Sequence, residues 1–217
     1  MTTWWEEHNA LVREHGVGVP LLDDAMTLLD DVEAAFAVTG AATPGWSSPD
    51  VDRSDSSIYE RVTEPERFEI AAARAEAWVK VLTARGWATS WTRGIQRVLV
   101  PARRAAVPMV FHVKHNHGAT FVTVGVGDPP FMLQEHPDCA CDGCDMGSES
   151  LLRGIDEDIF SVVDGSLEVV EGGGRRTLRT SFSGSHSTTS KRGPVRGVSG
   201  GPWGTDWAPR RLIKMSS

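Results

Sequence analysis

The order of residue patterns predicts an α+β domain, with helices packed on one face of an antiparallel sheet, an N-terminal helical arm and an irregular C-terminal tail. Two observations carry this. Apolar residues recur every three or four positions in three stretches before residue 87, and every second position between Trp87 and Gln134.

Taken in order, the helical spacing first covers Trp4 to His15. It resumes from Pro20 to Val38 through Leu21, Leu22, Ala25, Leu28, Leu29, Val32, Ala35 and Phe36. Gly16 and Gly18 separate the two stretches, and Gly40 stops the second. Residues 40–57, rich in Gly, Pro, Ser and Asp, read as a linker between an arm at 1–39 and a core at 58–185. A third helix has signals at both ends: Thr63 as N-cap, Pro65 and Glu66 in the first turn, Gly86 beyond the last. Its stripe runs through Phe68, Ala72, Ala75, Val79 and Leu82. The β-branched, alternating runs "ATSWTR", "QRVLVPA", "VPMVFHVKH" and "ATFVTVGVG" then predict antiparallel strands. A helix over 148–163 and two strands, "SLEVVEG" and "RRTLRTSFSG", complete the core. From His186 to the end Gly, Ser, Thr, Pro and Arg dominate, which predicts an irregular tail over 186–217, with Trp203 and Trp207 as possible anchors on the core.

At 217 residues and 40% hydrophobic content, the chain suits one domain with appended arms. Its net charge of -7 argues against a general binder of polyanions. That charge is unevenly spread. Residues 1–70 carry 15 acids against 4 bases, whereas residues 175–217 carry 1 against 9. The acidic front suits a basic protein surface, so a protein partner is expected ahead of a nucleic acid. The basic tail with its two tryptophans supports contact with phosphates and bases only as an alternative, because no recognition module accompanies it. The oligomeric state is not legible. No apolar run approaches the ~20 residues that span a bilayer, and the acids of "MTTWWEEHNALVREHG" do not suit a signal peptide. A soluble, cytoplasmic protein without membrane contact is the expectation.

All three cysteines lie in "HPDCACDGCD", residues 136–145. An odd number packed into six residues does not suit a secreted disulfide framework. In an extended segment Cys139 and Cys141 point to the same side, and Cys141 to Cys144 has the C-x2-C spacing of a metal knuckle, with Gly143 free to adopt a positive φ. Zinc wants four ligands. His136, three residues before Cys139, is the nearest candidate for the fourth, with His115 and His117 as alternatives on a neighbouring strand. The expected site is therefore a structural zinc on Cys139, Cys141, Cys144 and His136, with no catalytic residue assigned. Against it stand Glu135, Asp138, Asp142 and Asp145, whose charge Lys114, Arg103 or Arg104 would have to offset. Two other readings stay open. The thiols are reduced and partly buried, with Asp145 or Ser148 capping the helix that follows; or they form a redox dithiol, which neighbouring carboxylates disfavour by raising the thiol pKa.

Three stretches, "YERVTEPERF" at 59–68, "VTVGVGDPP" at 122–130 and "PDCACDGCDMGSESLLRGIDEDIFSVVDG" at 137–165, together resemble DUF6226, an actinobacterial family of unknown function. Its members carry a Pro-x-Cys-Gly-Cys-Asp-x-Cys-Asp segment before a helix. Ala140 stands at the pattern's glycine, and the place of His136 is usually aromatic there. The resemblance implies a shared architecture over about residues 20–180 and no activity.

"GVSGG" at 197–201 matches a nucleophile elbow, but that motif needs a helix behind it and Pro202 follows instead. The sequence thus predicts a non-enzymatic binding protein with a zinc knuckle. A zinc- or thiol-dependent enzyme on the same cysteines is the first alternative, and a nucleic-acid-associated protein the second.

Overall fold

Thr3 opens the first helix with a full capping box. Its backbone N–H donates to Glu6 Oε2 at 2.8 Å, and its hydroxyl accepts from the Glu6 N–H at 3.4 Å. In this computed structural model, residues 2–16, 18–188, 194–208 and 210 are described. Helix α1 spans Trp4–His15, and α2 spans Asp23–Thr39, three residues later at its start than the periodicity predicts. Asn9 ties them together, donating to the Leu21 carbonyl and accepting from its N–H at 2.8 and 2.7 Å.

Helix α3, Glu69–Ala84, follows a 3-10 turn at Pro65–Phe68. Thr63 does not cap it: the chain passes through Glu64 at φ 50, and the Thr63 hydroxyl is directed elsewhere. Strands β1 (Ala88–Arg93), β2 (Gln96–Pro101), β3 (Met109–Asn116), β4 (Ala119–Val126) and β5 (Phe131–His136) form an antiparallel meander in that spatial order. His117 and Gly118, both with positive φ, make the tight two-residue turn between β3 and β4. Every residue of β4 is buried. Helix α4, Ser148–Val163, returns to pack beside α3 and against β4 and β5.

The α+β class is as predicted, but two antiparallel sheets stand where the sequence suggests one. The second, in the order β8-β7-β6-β9, joins β6 (Glu168–Gly172), β7 (Arg175–Arg179), β8 (Gly184–Thr188) and β9 (Arg196–Ser199). Both β8 and β9 reach into the stretch read as irregular. Their Gly, Ser and Arg residues give no alternation; pairing with β7 and β6 supplies the order instead. Ser199 ends β9, paired with Glu168 of β6, and no helix follows among the described residues, so the nucleophile-elbow match lacks the helix that the motif requires.

One core joins the helices to the meander, through Leu28, Trp78, Leu82, Phe111, Val124 and Ile159 among others. Trp203 belongs to it at 1% exposure, and its backbone N–H donates to the Val163 carbonyl at 2.8 Å. Trp207 meets Trp87 edge-to-face, with centroids 5.1 Å apart. The two tryptophans anchor the tail as predicted, and Trp203 is too deep to stack on a base. Of the tail's bases, Lys191, Arg192, Arg211 and Lys214 lie outside the described residues.

A small satellite core of Phe68, Ala119, Phe121 and Ala140, flanked by Trp46, Val62 and Leu151, lies beneath the cysteine segment. It seats the site.

Candidate metal centre

The cysteine segment leaves β5 at His136 and enters α4 at Ser148. Between them the buried Ala140 methyl fixes the loop on the satellite core, and Cys141 closes a turn by accepting the Cys144 N–H at 3.0 Å. The chain is held close by Gly143, which does not take the positive φ expected of it. What the position requires is closeness: a Cβ there would lie 2.6 Å from Tyr59 and 2.9 Å from Ile58.

Asp142 and Asp145 point into the protein. Asp142 accepts from Arg61 Nε at 2.6 Å and from the Thr63 N–H and hydroxyl at 2.7 Å each. Burial works to raise its pKa, and these donors outweigh it, holding the carboxyl below the usual carboxylate range. Asp145 accepts from Trp46 Nε1 at 2.9 Å, Arg67 at 2.5 Å and the Gly147 N–H at 2.7 Å. Glu135 pairs with Lys114 at 2.7 Å. The acids that stand against a metal in the sequence are thus largely neutralised by Arg61, Arg67 and Lys114. Arg103, proposed for that task, donates instead to the Pro202 and Gly204 carbonyls.

These anchors also place residues 40–57. Ser47 bridges to Gly147, Trp46 and Ser148 exchange backbone and hydroxyl bonds, and Arg53 donates to the Gly143 carbonyl at 3.3 Å. The stretch read as a linker lies against the knuckle. Neither Asp145 nor Ser148 caps α4; Gly147 holds the cap position at φ 87.

With its aspartates turned inward, the loop gathers its sulfurs. The Sγ atoms of Cys139, Cys141 and Cys144 all lie within 4.8 Å of one another, and those of Cys139 and Cys141 are 3.0 Å apart. Cys141 is buried, while Cys139 and Cys144 reach the surface. All three are free thiols. Burial pushes the Cys139 thiol up, and the Cys141 sulfur adds to the rise, which counts against a redox dithiol. Three convergent sulfurs are a donor set suited to zinc, provided that the thiols give up their protons to it.

His136 is not part of the group. Its Nε2 faces Asp158 Oδ2 at 2.9 Å across α4, and its ring lies against Gly154, where a Cβ would be 3.0 Å away. The alternatives are also elsewhere: His115 bonds the Thr120 hydroxyl at 3.0 Å, and His117 occupies the β3 to β4 turn. Counting along the sequence puts His136 near the sulfurs, but α4 supplies a carboxylate that holds the imidazole away from them.

A cleft of about 740 Å³ opens at the site. Cys139, Cys144, His136, Asp158, Arg153 and Phe182 are among the residues around it. Sequence reasoning missed Trp46, Arg61, Arg67 and Asp158. One signal was present: the repeated Cys-Asp pairs at 141–142 and 144–145 alternate a thiol with a carboxylate that must face another way.

No described helix is long and apolar enough to cross a membrane. Comparison with curated proteins and with solved structures gives no match. The model of one protein family does match, over residues 32–211, a span that runs from the second half of α2 through both sheets and the cysteine segment. The chain therefore belongs to DUF6226, a family of unknown function.

Proposed function

We propose that this protein binds one zinc ion on the thiolates of Cys139, Cys141 and Cys144, and that the ion's role is to fix the knuckle on which residues 46–67 are fastened. The observation that carries this is the convergence of three sulfurs within 4.8 Å on one short loop. Soft thiolates select zinc over hard cations. Three of them on Zn2+ leave a net negative charge, and the Arg61 and Arg67 pairs keep Asp142 and Asp145 from adding to it. Reduced thiols suit the cytoplasm. The wider function is binding without catalysis, with a basic protein surface as partner for the acidic first 70 residues.

Elemental analysis of protein purified without added metal tests the zinc reading. One zinc per chain is the expected result, lost in Cys141→Ser. A metal-free protein that still fails to take up added zinc would end it.

A zinc- or thiol-dependent enzyme is favoured by a different observation. His136, backed by Asp158, borders the same cleft as Cys139 and Cys144, an arrangement that offers an oriented base beside a metal site. Hydrolysis of model esters that disappears in His136→Gln while zinc content is retained would move the reading to that class.

A further inference from the structure

We propose that the fourth coordination position of the metal is filled from outside the chain, by an imidazole carried on a positively charged molecule that enters the cleft at Cys139 and Cys144. This rests on the zinc reading above and adds the class of ligand.

Zinc takes four donors, and the group assembled among the described residues offers three. Apart from the exposed carboxylate of Asp138, whose charge makes it a costly donor to a centre already at a net -1, the nearby side chains that might rearrange to supply the fourth are committed. Asp142 takes three donors and Asp145 takes Trp46, Arg67 and Gly147. His136 is turned to Asp158. Three protein ligands with an open fourth place is the arrangement of sites that exchange water for an incoming group. Access is provided for, because Cys139 and Cys144 border the cleft while Cys141 sits buried behind them. At about 740 Å³ the cleft has the size of a small-molecule site.

Charge selects the donor. A fourth thiolate would take the centre from a net -1 to about -2, and a carboxylate would do the same, next to arginines already engaged on Asp142 and Asp145. Neutral imidazole binds zinc without that cost. The cleft wall then favours a cation beside the ring. Asp138 and Asp158 line it without an arginine partner among the described residues, while Asp145 is paired with Arg67 and Glu157 with Arg153 at 2.8 Å. Two sources carry this chemistry: a free imidazole amine, or a histidine within a basic chain segment.

The test uses the full chain loaded with cobalt(II), whose visible bands report its ligands. The chain is titrated with histamine, with imidazole-4-acetate as the same ring bearing the opposite charge, and with the blocked peptide Arg-His-Arg. Histamine should shift the bands with one-site saturation and bind about tenfold tighter than imidazole-4-acetate at low salt, a gap that closes as salt rises. A peptide tighter than histamine points to the chain-borne source, and the reverse to the free amine; either supports the class. Cobalt bands that are present but unmoved by any of the three overturn the inference and leave the zinc reading intact. So does equal affinity for the two charged imidazoles. A spectrum already altered by His136→Gln before any ligand is added overturns it as well, by showing His136 to be the fourth donor. Failure to bind cobalt at all overturns the zinc reading itself.

Discussion

Two buried carboxylate centres in this protein are built from the same parts and finish differently. At the centre of the helical layer, Asp156 of α4 is wholly buried and accepts from Trp4 Nε1, from Trp78 Nε1 and from Arg74 through Nε and a terminal nitrogen, all between 2.7 and 2.9 Å. Arg74 also reaches Glu33 of α2 at 2.7 Å. Burial works against the Arg74 charge, and Asp156 with Glu33 outweighs it, so its pKa lies above the ordinary arginine value. One carboxylate thereby joins α1, α2, α3 and α4. At the knuckle, Asp142 and Asp145 are likewise saturated by arginine, tryptophan and backbone donors, yet the thiols between them are left facing one another and the surface. A network in which every member is satisfied has nothing left to bind. The knuckle saturates its two aspartates and leaves its three sulfurs convergent, and that difference marks it as the candidate site.

The sharpest way to break the comparison is at Asp156. Replacing it with alanine leaves the Arg74 guanidinium and two indole N–H groups buried without their acceptor, and should lower unfolding stability by about 3–5 kcal/mol, the range for breaking a buried pair. Denaturant titration measures it, and a loss that is the same with zinc and with chelator would confirm that this network is independent of the metal. Next comes Cys141→Ser. With zinc at a hundred times its dissociation constant the wild type should gain about 3 kcal/mol that the variant lacks, and the two should melt together once chelator is added. A variant that melts with the zinc-loaded wild type contradicts the assignment.

A third carboxylate centre sharpens the contrast because its demand is not fully met. Asp164, at the end of α4, is buried beside Arg210, whose Nε stays 3.6 Å away. Burial pushes its pKa up to about 6, against the pull of Ser166, Arg210 and Ser181. The native protein therefore holds a proton that the unfolded chain has released between about pH 4 and pH 6, and stability from this group falls as pH rises through that window. The expected fall is about 2 kcal/mol. Comparing stability at the two pH values in wild type and Asp164→Asn checks it, since the variant should lose this part of the slope. The smallest effect belongs to Thr63→Val. It removes one of the three donors to Asp142 and should lower stability by about 1 kcal/mol without changing zinc stoichiometry. A lost metal would mean that the scaffold and the sulfurs are not separable.

The same contrast decides what the sequence could reveal. Helices α3 and α4 and strands β1 to β4 were legible because their apolar residues repeat at the period of the element that they form. Strand β5, "FMLQEH", has no β-branched residue and gives no strand signal, while β8 owes its form to pairing with the adjacent β7, and β9 to pairing with β6 beyond that hairpin. The three sulfurs could be placed together from spacing alone, since they are local. Their setting could not. Arg61 meets Asp142 across 81 positions and Trp46 meets Asp145 across 99, out of segments whose composition reads as a turn or a linker. Asp156 sits in "GIDEDIF", where three acids look like one solvated face until Arg74 and two tryptophans are brought to the middle of the protein. His136 shows the reverse failure, close in sequence to the sulfurs and drawn off by Asp158.

The central claim, that the three thiols share one metal ion, is tested most directly by counting reactive thiols under native conditions before and after chelation. Coordinated sulfurs should react slowly, with all three becoming available once the metal is withdrawn and one zinc released with them. Three thiols that react at once, with no metal appearing in solution, would contradict it.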